Sequence, residues 1–244
     1  MLILGHRGYR AKFIENTMKS IQKAIEYGAD GIECDIQKIG SGEFIVFHDS
    51  NLLRMAGIDK DLSECSKENI ELIRIKGEEK IPFLEDLLSS FPKDKFLNIE
   101  IKKETINHND CFKIARIIKE KFGIENVLIS SFEHSFLPIF KKEGFKIGML
   151  IGTEYKKSKL SSVILKILKI NPHYLNLPID MFTTIGEKKS IFLLKIFKLL
   201  GKKIVFWTVN NDHYIKKIIK YIDILITDNV ELMLELNKKS SILK

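Results

Sequence analysis

Short apolar segments of strand length alternate along this chain with amphipathic stretches, and this alternation most restricts the folds open to it. Between most of the segments, apolar residues recur at intervals of three and four, as at Met18, Ile21 and Ile25, which is typical of a helix with one buried face. Such an order indicates a parallel sheet covered by helices, and roughly eight units over 244 residues predict an α/β fold closed into a (β/α)8 TIM barrel. The strand-length segments are residues 2–4, 31–36, 44–47, 96–101, 127–131, 147–151, 174–177, 204–209 and 222–226.

These segments exceed by one the strands that a barrel of this kind needs. The surplus falls around residues 36–48, because residues 37–43 are too few for a crossover helix and contain Gly40 and Gly42, which suit a tight reversal. Residues 50–80 are polar and lack a clear strand, so we interpret them as an insertion over one end of the barrel. We therefore predict an irregular barrel with a small insertion after the third strand, forming a single domain over residues 1–244.

Charge and cysteine content restrict the function classes. The formal charge is +8, yet the lysines are spread throughout without the clustered arginines and aromatics of a nucleic-acid surface, so we expect no nucleic-acid partner. Cys34, Cys65 and Cys111 are odd in number and far apart, which predicts neither a disulfide framework nor a zinc site. With no apolar run of bilayer length either, we expect a soluble, cytoplasmic protein.

Polar side chains gather at the ends of several apolar segments. Alternation in a strand puts Glu33 and Asp35 on one face, with Cys34 on the other. Functional side chains of such barrels collect at the carboxyl ends of the strands, so we expect these polar groups to form one site. The group comprises His6, Arg7, Glu33, Asp35, His48, Glu100, Lys102 and Trp207.

This set of residue types suits cleavage of a phosphodiester. Three carboxylates without a His or Cys cluster favour Mg²⁺ or Ca²⁺ over Zn²⁺. The planar fork of Arg7 binds phosphate oxygens in pairs, and Lys102 adds a point charge. His6 and His48, on different strands, can remove a proton from the attacking hydroxyl and protonate the departing alcohol.

The ordered motifs resemble those of the glycerophosphodiester phosphodiesterase family from residue 5 to about 230, nearly the whole chain. That family is an irregular (β/α)8 barrel, related in fold to phosphatidylinositol-specific phospholipase C, that releases glycerol 3-phosphate and an alcohol from glycerophosphodiesters. The motifs are His6-Arg7-Gly8, Glu15-Asn16-Thr17, G-A-D-G-I-E-C-D at 28–35, V-F-H-D at 46–49, I-E-I-K at 99–102, W-T-V-N at 207–210 and I-T-D-N at 226–229.

The resemblance implies a role for each of these residues. It implies a small-molecule glycerophosphodiester as substrate and one divalent cation, with Mn²⁺ as a third candidate beside Mg²⁺ and Ca²⁺. Trp207 would form an apolar wall beside the glycerol moiety, although it also suits the barrel core, and Asn16 also suits the cap of the following helix. We leave Asp49 and Asp228 outside the catalytic set, as supporting partners or turn formers. The implied roles are His6 and His48 as the acid/base pair, Arg7 and Lys102 as phosphate binders, and Glu33, Asp35 and Glu100 as metal ligands.

Two alternatives to a soluble phosphodiesterase remain open. Lysines interleave with apolar residues over 158–170 and 188–203, as they do in interfacial helices, and this pattern would suit a lysophospholipase D-like enzyme working at a membrane surface. Outer barrel helices produce the same pattern, and we favour that interpretation, with weak or no membrane association. A barrel that has lost catalysis would lack part of the site, and no site residue is missing. The oligomeric state is left open.

Overall fold

The computed structural model describes residues 1–152 and 160–242, and within them the predicted alternation of strands and helices is present. The strands are β1 Leu2–His6, β2 Gly31–Lys38, β3 Phe44–Val46, β4 Arg74–Ile75, β5 Glu79–Lys80, β6 Phe96–Ile101, β7 Val127–Ser131, β8 Lys146–Leu150, β9 Tyr174–Pro178, β10 Lys203–Trp207 and β11 Ile224–Thr227. The helices are α1 Met18–Glu26, α2 Leu53–Ala56, α3 Lys67–Leu72, α4 Leu84–Ser90, α5 His108–Lys121, α6 Leu137–Lys142, α7 Leu160–Ile170, α8 Met181–Thr184, α9 Glu187–Leu199, α10 Ile215–Ile218 and α11 Val230–Ile242.

Eight parallel strands close into a barrel. Their order is β1-β11-β10-β9-β8-β7-β6-β2, and β1 also pairs with β2, which completes the ring. The additional strand, β3, pairs antiparallel with β2 beyond the ring, with Ile36 opposite Val46. The nine strand predictions and the irregular TIM barrel are therefore confirmed, and the surplus strand lies where the two-glycine reversal predicted it.

Strand alternation separates an outer core from the barrel interior. On β2, the side chains of Ile32, Cys34 and Ile36 pack in the large core between the strands and the helices. Glu33 and Asp35 alternate with them and face inward. Below the polar residues, the interior is filled by an apolar layer on six strands, so the polar groups lie above a packed floor. That layer consists of Leu4, Phe96, Leu128, Tyr174, Val205, Ile224 and Ile226.

The segment 50–80 has a small core of its own. It carries α2, a 3-10 helix at Leu62–Glu64, α3 and the ribbon formed by β4 and β5. Its polar sequence indicated no strand, but Lys76 and Gly77 both adopt positive φ and form the turn that allows this two-residue pairing. The segment packs onto the face of β3 that carries Ile45, opposite the face that Phe44 and Val46 turn to the large core. The apolar cluster there consists of Ile39, Ile45, Phe47, Leu52, Met55, Leu62, Cys65, Ile70, Ile75 and Ile81.

The two lysine-rich stretches form outer barrel helices. In α9, Leu193, Leu194 and Phe197 are buried against the barrel, whereas Phe192 is 61% exposed. In α7, Ile167 is fully buried, and Leu165 is 66% exposed on the other side. Ser158 and Lys159 of the first stretch lie outside the described residues. No helix in the described ranges is both long enough and apolar enough to cross a membrane.

Candidate active site

Three carboxylates meet at the carboxyl ends of β2 and β6. These strands are parallel neighbours, and their register places Asp35 opposite Glu100. One oxygen from each of Glu33, Asp35 and Glu100 lies within 4.8 Å of the others. All three residues are buried. The sequence prediction that these side chains converge therefore holds in the structure.

Burial of three neighbouring carboxylates dominates the electrostatics of this cluster. Burial, together with the charges of Asp35 and Glu100, raises the pKa of Glu33 well above its usual value. Burial raises the pKa of Glu100 to about 7, although Lys102 opposes the shift. Burial also acts on Asp35, but Lys102 and Arg7 outweigh it and lower the pKa of that carboxyl. Asp35 is thus held in its ionised form, whereas Glu33 and Glu100 have too little positive charge nearby to offset the cost of ionising them in a buried site.

The donor set fits a hard divalent cation. Three carboxylate oxygens within a few ångströms are the ligands that Mg²⁺, Ca²⁺ and Mn²⁺ take in proteins. Burial and neighbouring carboxylates raise the pKa values of Glu33 and Glu100, and the positive charge of a cation at this position would lower them again and favour the ionised forms. No cysteine or histidine belongs to the cluster, so its chemistry does not suit a structural zinc.

Two cations lie directly beside the carboxylates. Arg7 follows β1 directly and has a φ of 53°, and its Nε lies 3.2 Å from an oxygen of Asp35. Its left-handed backbone is followed by Gly8, where a Cβ would lie 2.4 Å from the Ser20 hydroxyl, so the tight bend needs glycine at that position. Lys102 Nζ lies 2.6 Å from Glu100 and 3.0 Å from Asp35. The two phosphate-binding candidates therefore occupy one site with the acidic cluster.

Each of the two candidate catalytic histidines is held by an aspartate. His6 Nδ1 lies 2.7 Å from Asp228 Oδ1, and the other ring nitrogen, Nε2, lies 3.9 Å from Glu33. His48 Nδ1 lies 2.6 Å from Asp49 Oδ1. In both pairs the carboxylate engages Nδ1 and leaves Nε2 for another partner, which is the arrangement used to orient an imidazole for proton transfer.

Sequence reasoning left these two aspartates outside the catalytic set, as supporting partners or turn formers, and assigned neither of them to a histidine. Asp49 follows His48 directly, so its pairing was readable from the H-D dipeptide. Asp228 is separated from His6 by 222 positions, and only the closure of the barrel brings them together. Asp228 is also held by Asn210, whose Nδ2 donates to it over 2.7 Å. The I-T-D-N motif was the available signal for this residue.

The interpretation of Asn16 as a helix cap is wrong. The cap of α1 is Thr17, whose hydroxyl accepts a hydrogen bond from the Ser20 amide. Asn16 has a φ of 55° and turns its side chain into the site, where Nδ2 donates to Asp35 over 2.9 Å. The preceding residue, Glu15, is also buried and contacts three arginines.

Trp207 lies on a different side of the barrel mouth from the carboxylates. It ends β10 and packs edge-to-face against Phe132, with ring centroids 5.7 Å apart. Together with Pro178 and Ile179 these rings line a cavity of about 290 Å³. Both the expected apolar wall and the alternative of a barrel-core aromatic suit this position, because the half-buried ring borders the cavity and also packs against the apolar layer of the barrel interior.

The fold and the site together define a TIM-barrel enzyme whose polar residues gather at the carboxyl ends of its strands. The profile of the glycerophosphoryl diester phosphodiesterase family matches residues 6–232, and the chain belongs to that family. A glycerophosphodiester phosphodiesterase from Caldanaerobacter subterraneus is 31% identical over 98% of both chains.

Solved structures agree with this assignment. The crystal structure of a glycerophosphodiester phosphodiesterase from Thermotoga maritima has 32% identity and a TM-score of 0.84, covering 97% of this chain and 98% of that one. An Oleispira antarctica phosphodiesterase, solved with the product sn-glycerol-3-phosphate, shares the fold at 20% identity, with a TM-score of 0.83 and 96% coverage of both chains.

Proposed function

We propose that the protein hydrolyses small glycerophosphodiesters to glycerol 3-phosphate and an alcohol, with one divalent cation and two histidines. The observation that carries this proposal is the convergence of Glu33, Asp35 and Glu100 within 4.8 Å, with Arg7 and Lys102 directly beside them. Membership of the phosphodiesterase family supports the reaction class. The product named for the Oleispira antarctica enzyme supports the substrate class.

In the proposed reaction, basic residues would bind the phosphate of the substrate and acidic residues would bind the cation. Arg7 and Lys102 would hold the non-bridging phosphate oxygens, Arg7 as a two-pronged donor and Lys102 as a point charge. Glu33, Asp35 and Glu100 would hold the cation, which when bound neutralises phosphate charge and polarises the phosphorus–oxygen bonds. Trp207 would contact an apolar part of the substrate beside the cavity that it lines.

His6 and His48 would move the two protons of the reaction. One imidazole removes the proton of the attacking hydroxyl as the new phosphorus–oxygen bond forms, and the other protonates the alcohol oxygen as its bond to phosphorus breaks. Asp228 and Asp49 hold Nδ1 of the two rings, so that Nε2 faces the reacting atoms. The attacking hydroxyl is that of water or, as in phospholipase C relatives, the glycerol 2-hydroxyl. The second route first forms a cyclic phosphate as the alcohol leaves, and water then opens the ring to give glycerol 3-phosphate.

A direct assay tests the proposal. We would measure release of glycerol 3-phosphate from glycerophosphocholine, -ethanolamine, -glycerol and -inositol, each with Mg²⁺, Mn²⁺, Ca²⁺ or a chelator. We expect release with at least one cation and none with the chelator. Full activity after exhaustive chelation would contradict the metal role, and no release from any substrate would contradict the function.

A second candidate function is lysophospholipase D-like activity at a membrane. The observation that favours it is the exposed apolar surface on α7 and α9, where Leu165 and Phe192 lie among lysines. The buried inner faces of both helices support the soluble-substrate proposal instead. A higher kcat/KM for lysophosphatidylcholine than for glycerophosphocholine would establish the second candidate.

A further inference from the structure

One buried carboxylate contacts three arginines at the edge of the site. Glu15 Oε1 accepts a hydrogen bond from Arg7 over 2.7 Å and another from Arg54 over 2.6 Å, and Oε2 lies 2.9 Å from Arg10 Nε. The Glu15 side chain is 7% exposed, whereas those of Arg10 and Arg54 are 38% and 45% exposed. A single acidic group therefore fixes two arginines that reach toward solvent and one that reaches into the site.

Each of these arginines also contacts a different aspartate of the site. Arg7 Nε lies 3.2 Å from Asp35, in the acidic cluster. Arg10 lies 3.6 Å from Asp228, and Arg54 Nε donates to Asp49 over 2.5 Å. Asp228 and Asp49 are the residues that hold Nδ1 of His6 and His48. Three chains of contacts thus run from Glu15, through an arginine and an aspartate, to the two histidines and the candidate metal site.

We propose that Glu15 is a positioning residue that fixes both histidine–aspartate pairs and Arg7 in one geometry. Glu15 does not touch the reacting atoms and acts only through its arginines. A guanidinium that contacts two carboxylates at once is held in one orientation, whereas a guanidinium with a single carboxylate partner can still rotate. A connected network of such contacts stabilises the geometry more than the same pairs would separately. The expected kinetic effects rest on the proposed function, whereas the contacts of Glu15 do not depend on it.

The proposal gives the segment 50–80 a part in the site. Arg54 lies in α2 of this segment, and it contacts both Glu15 and Asp49. Its neighbour Met55 is buried in the separate core of the segment, which fixes the helix from which Arg54 projects. The position of His48 therefore depends on the packing of that core, through the contacts of Arg54 and Asp49.

The test compares Glu15→Gln, Arg54→Met and the double variant with the parent protein, using glycerophosphocholine and saturating Mg²⁺. Glutamine keeps the shape of Glu15 and removes its charge. We expect each single variant to lose about 10–100-fold in kcat/KM, as supporting partners of metal and catalytic groups do. The double variant should lose little more than Glu15→Gln alone, because both changes break the same chain of contacts.

A second measurement does not depend on turnover. Histidine ¹⁵N NMR reports which ring nitrogen carries the proton, and we expect the parent to show His48 protonated on Nδ1, toward Asp49. In Glu15→Gln the Nδ1-protonated fraction should fall, because Arg54 then bonds a neutral amide oxygen instead of a carboxylate and is held less firmly against Asp49. Glu15→Asp, which keeps the charge on a shorter side chain, should recover part of both effects.

The control is Asp223→Asn, at the amino ends of β10 and β11, which removes the charge that pairs with Lys198 and keeps an oxygen that can accept the hydrogen bond from the Ile204 amide. It should keep parental kcat/KM and parental histidine spectra. A folded Glu15→Gln protein whose kcat/KM is within twofold of the parental value would overturn the proposal. The proposal would also be overturned if the kcat/KM losses of the two single variants multiply in the double variant while the histidine spectra stay unchanged. If the parent itself releases no glycerol 3-phosphate, the proposed function fails, and the spectra still decide the role of Glu15.

Discussion

At the scale of single residues, the site is a balance of charges in a buried space. Asp35 is kept ionised by Lys102 and Arg7, whereas the pKa values of Glu33 and Glu100 are raised. Strand alternation alone predicted which side chains would share a face, because a side chain's face depends only on its position in the strand. The partners of those side chains were less predictable, since Asp228 reaches His6 from the other end of the chain.

Removal of one charge from the acidic cluster should weaken cation binding. We expect Asp35→Asn to reduce Mg²⁺ or Mn²⁺ affinity in calorimetry, because a neutral oxygen replaces an ionised ligand. Cys34→Ala, one position away in the outer core, should keep the affinity and lose ~1–2 kcal/mol of stability. Cation binding by Asp35→Asn that matches the parent would show that Asp35 is not a ligand.

Loss of either histidine should slow proton transfer. We expect His6→Ala and His48→Ala each to reduce kcat by ~10²–10⁴, with His108→Ala, in an exposed position on α5, as the control with parental activity. A substrate with a p-nitrophenolate leaving group needs little protonation, so it should selectively rescue the variant that lacks the acid. Equal losses for both variants on both substrates would contradict the division of roles.

The charge of Glu15 should appear in the pH dependence of stability. Burial acts to raise its pKa, but hydrogen bonds from Arg54 and Arg7 outweigh burial and lower the pKa from 4.5 to about 2. A lowered pKa stabilises the fold above the unfolded value of 4.5, and this contribution is lost as the pH falls toward 2. The stability difference between the parent and Glu15→Gln should therefore narrow by about 2 kcal/mol between pH 6 and pH 3 in urea unfolding. A difference that is constant over this range would indicate an ordinary pKa.

At the scale of elements, the regular parts of the barrel were predictable, whereas the insertion could be located but its internal helices and strands could not be predicted. The strands carry apolar alternation and the helices carry a 3.6-residue spacing, and both patterns are local. Residues 50–80 contain short elements whose apolar residues are widely separated, so neither period is visible there. Their structure depends on contacts with β3, which a local pattern does not encode.

The insertion core offers a direct test of this packing. Leu62 is fully buried in it, and Leu62→Ala should lower the free energy of unfolding by ~2–5 kcal/mol. Leu72→Ala, in the same segment but 78% exposed, should change it by less than ~0.5 kcal/mol. Chemical denaturation of both variants makes the comparison, and equal effects would show that the segment lacks a core.

At the scale of the whole molecule, two features favour contact with acidic lipid. They are the net charge of +8 and the exposed apolar residues of α7 and α9. Interfacial binding combines buried apolar area with attraction of about 1 kcal/mol per lysine. The inner faces of both helices are already occupied by the barrel, so the remaining area is small. The predicted membrane association is accordingly weak.

Vesicle sedimentation checks that expectation. We expect little pelleting with phosphatidylglycerol vesicles at physiological salt, more at low salt, and a decrease of the low-salt binding in Phe192→Ser. Leu72→Ser, another exposed apolar position, is the matched control and should behave like the parent. Strong pelleting of the parent at physiological salt would contradict the expectation.

Closure of the barrel also determines the order in which the parts of the candidate site can form during synthesis on a ribosome. The acidic cluster is encoded by β2 and β6, within the first 101 residues. Ring closure needs β1 to pair with β11, whose register joins Ile3 to Leu225, and Asp228 follows directly. The two strands that carry the acidic cluster can therefore pair early, but His6 meets Asp228 only after β11 has been synthesised. A chain released before β11 would therefore carry the candidate cation ligands without the aspartate that orients His6.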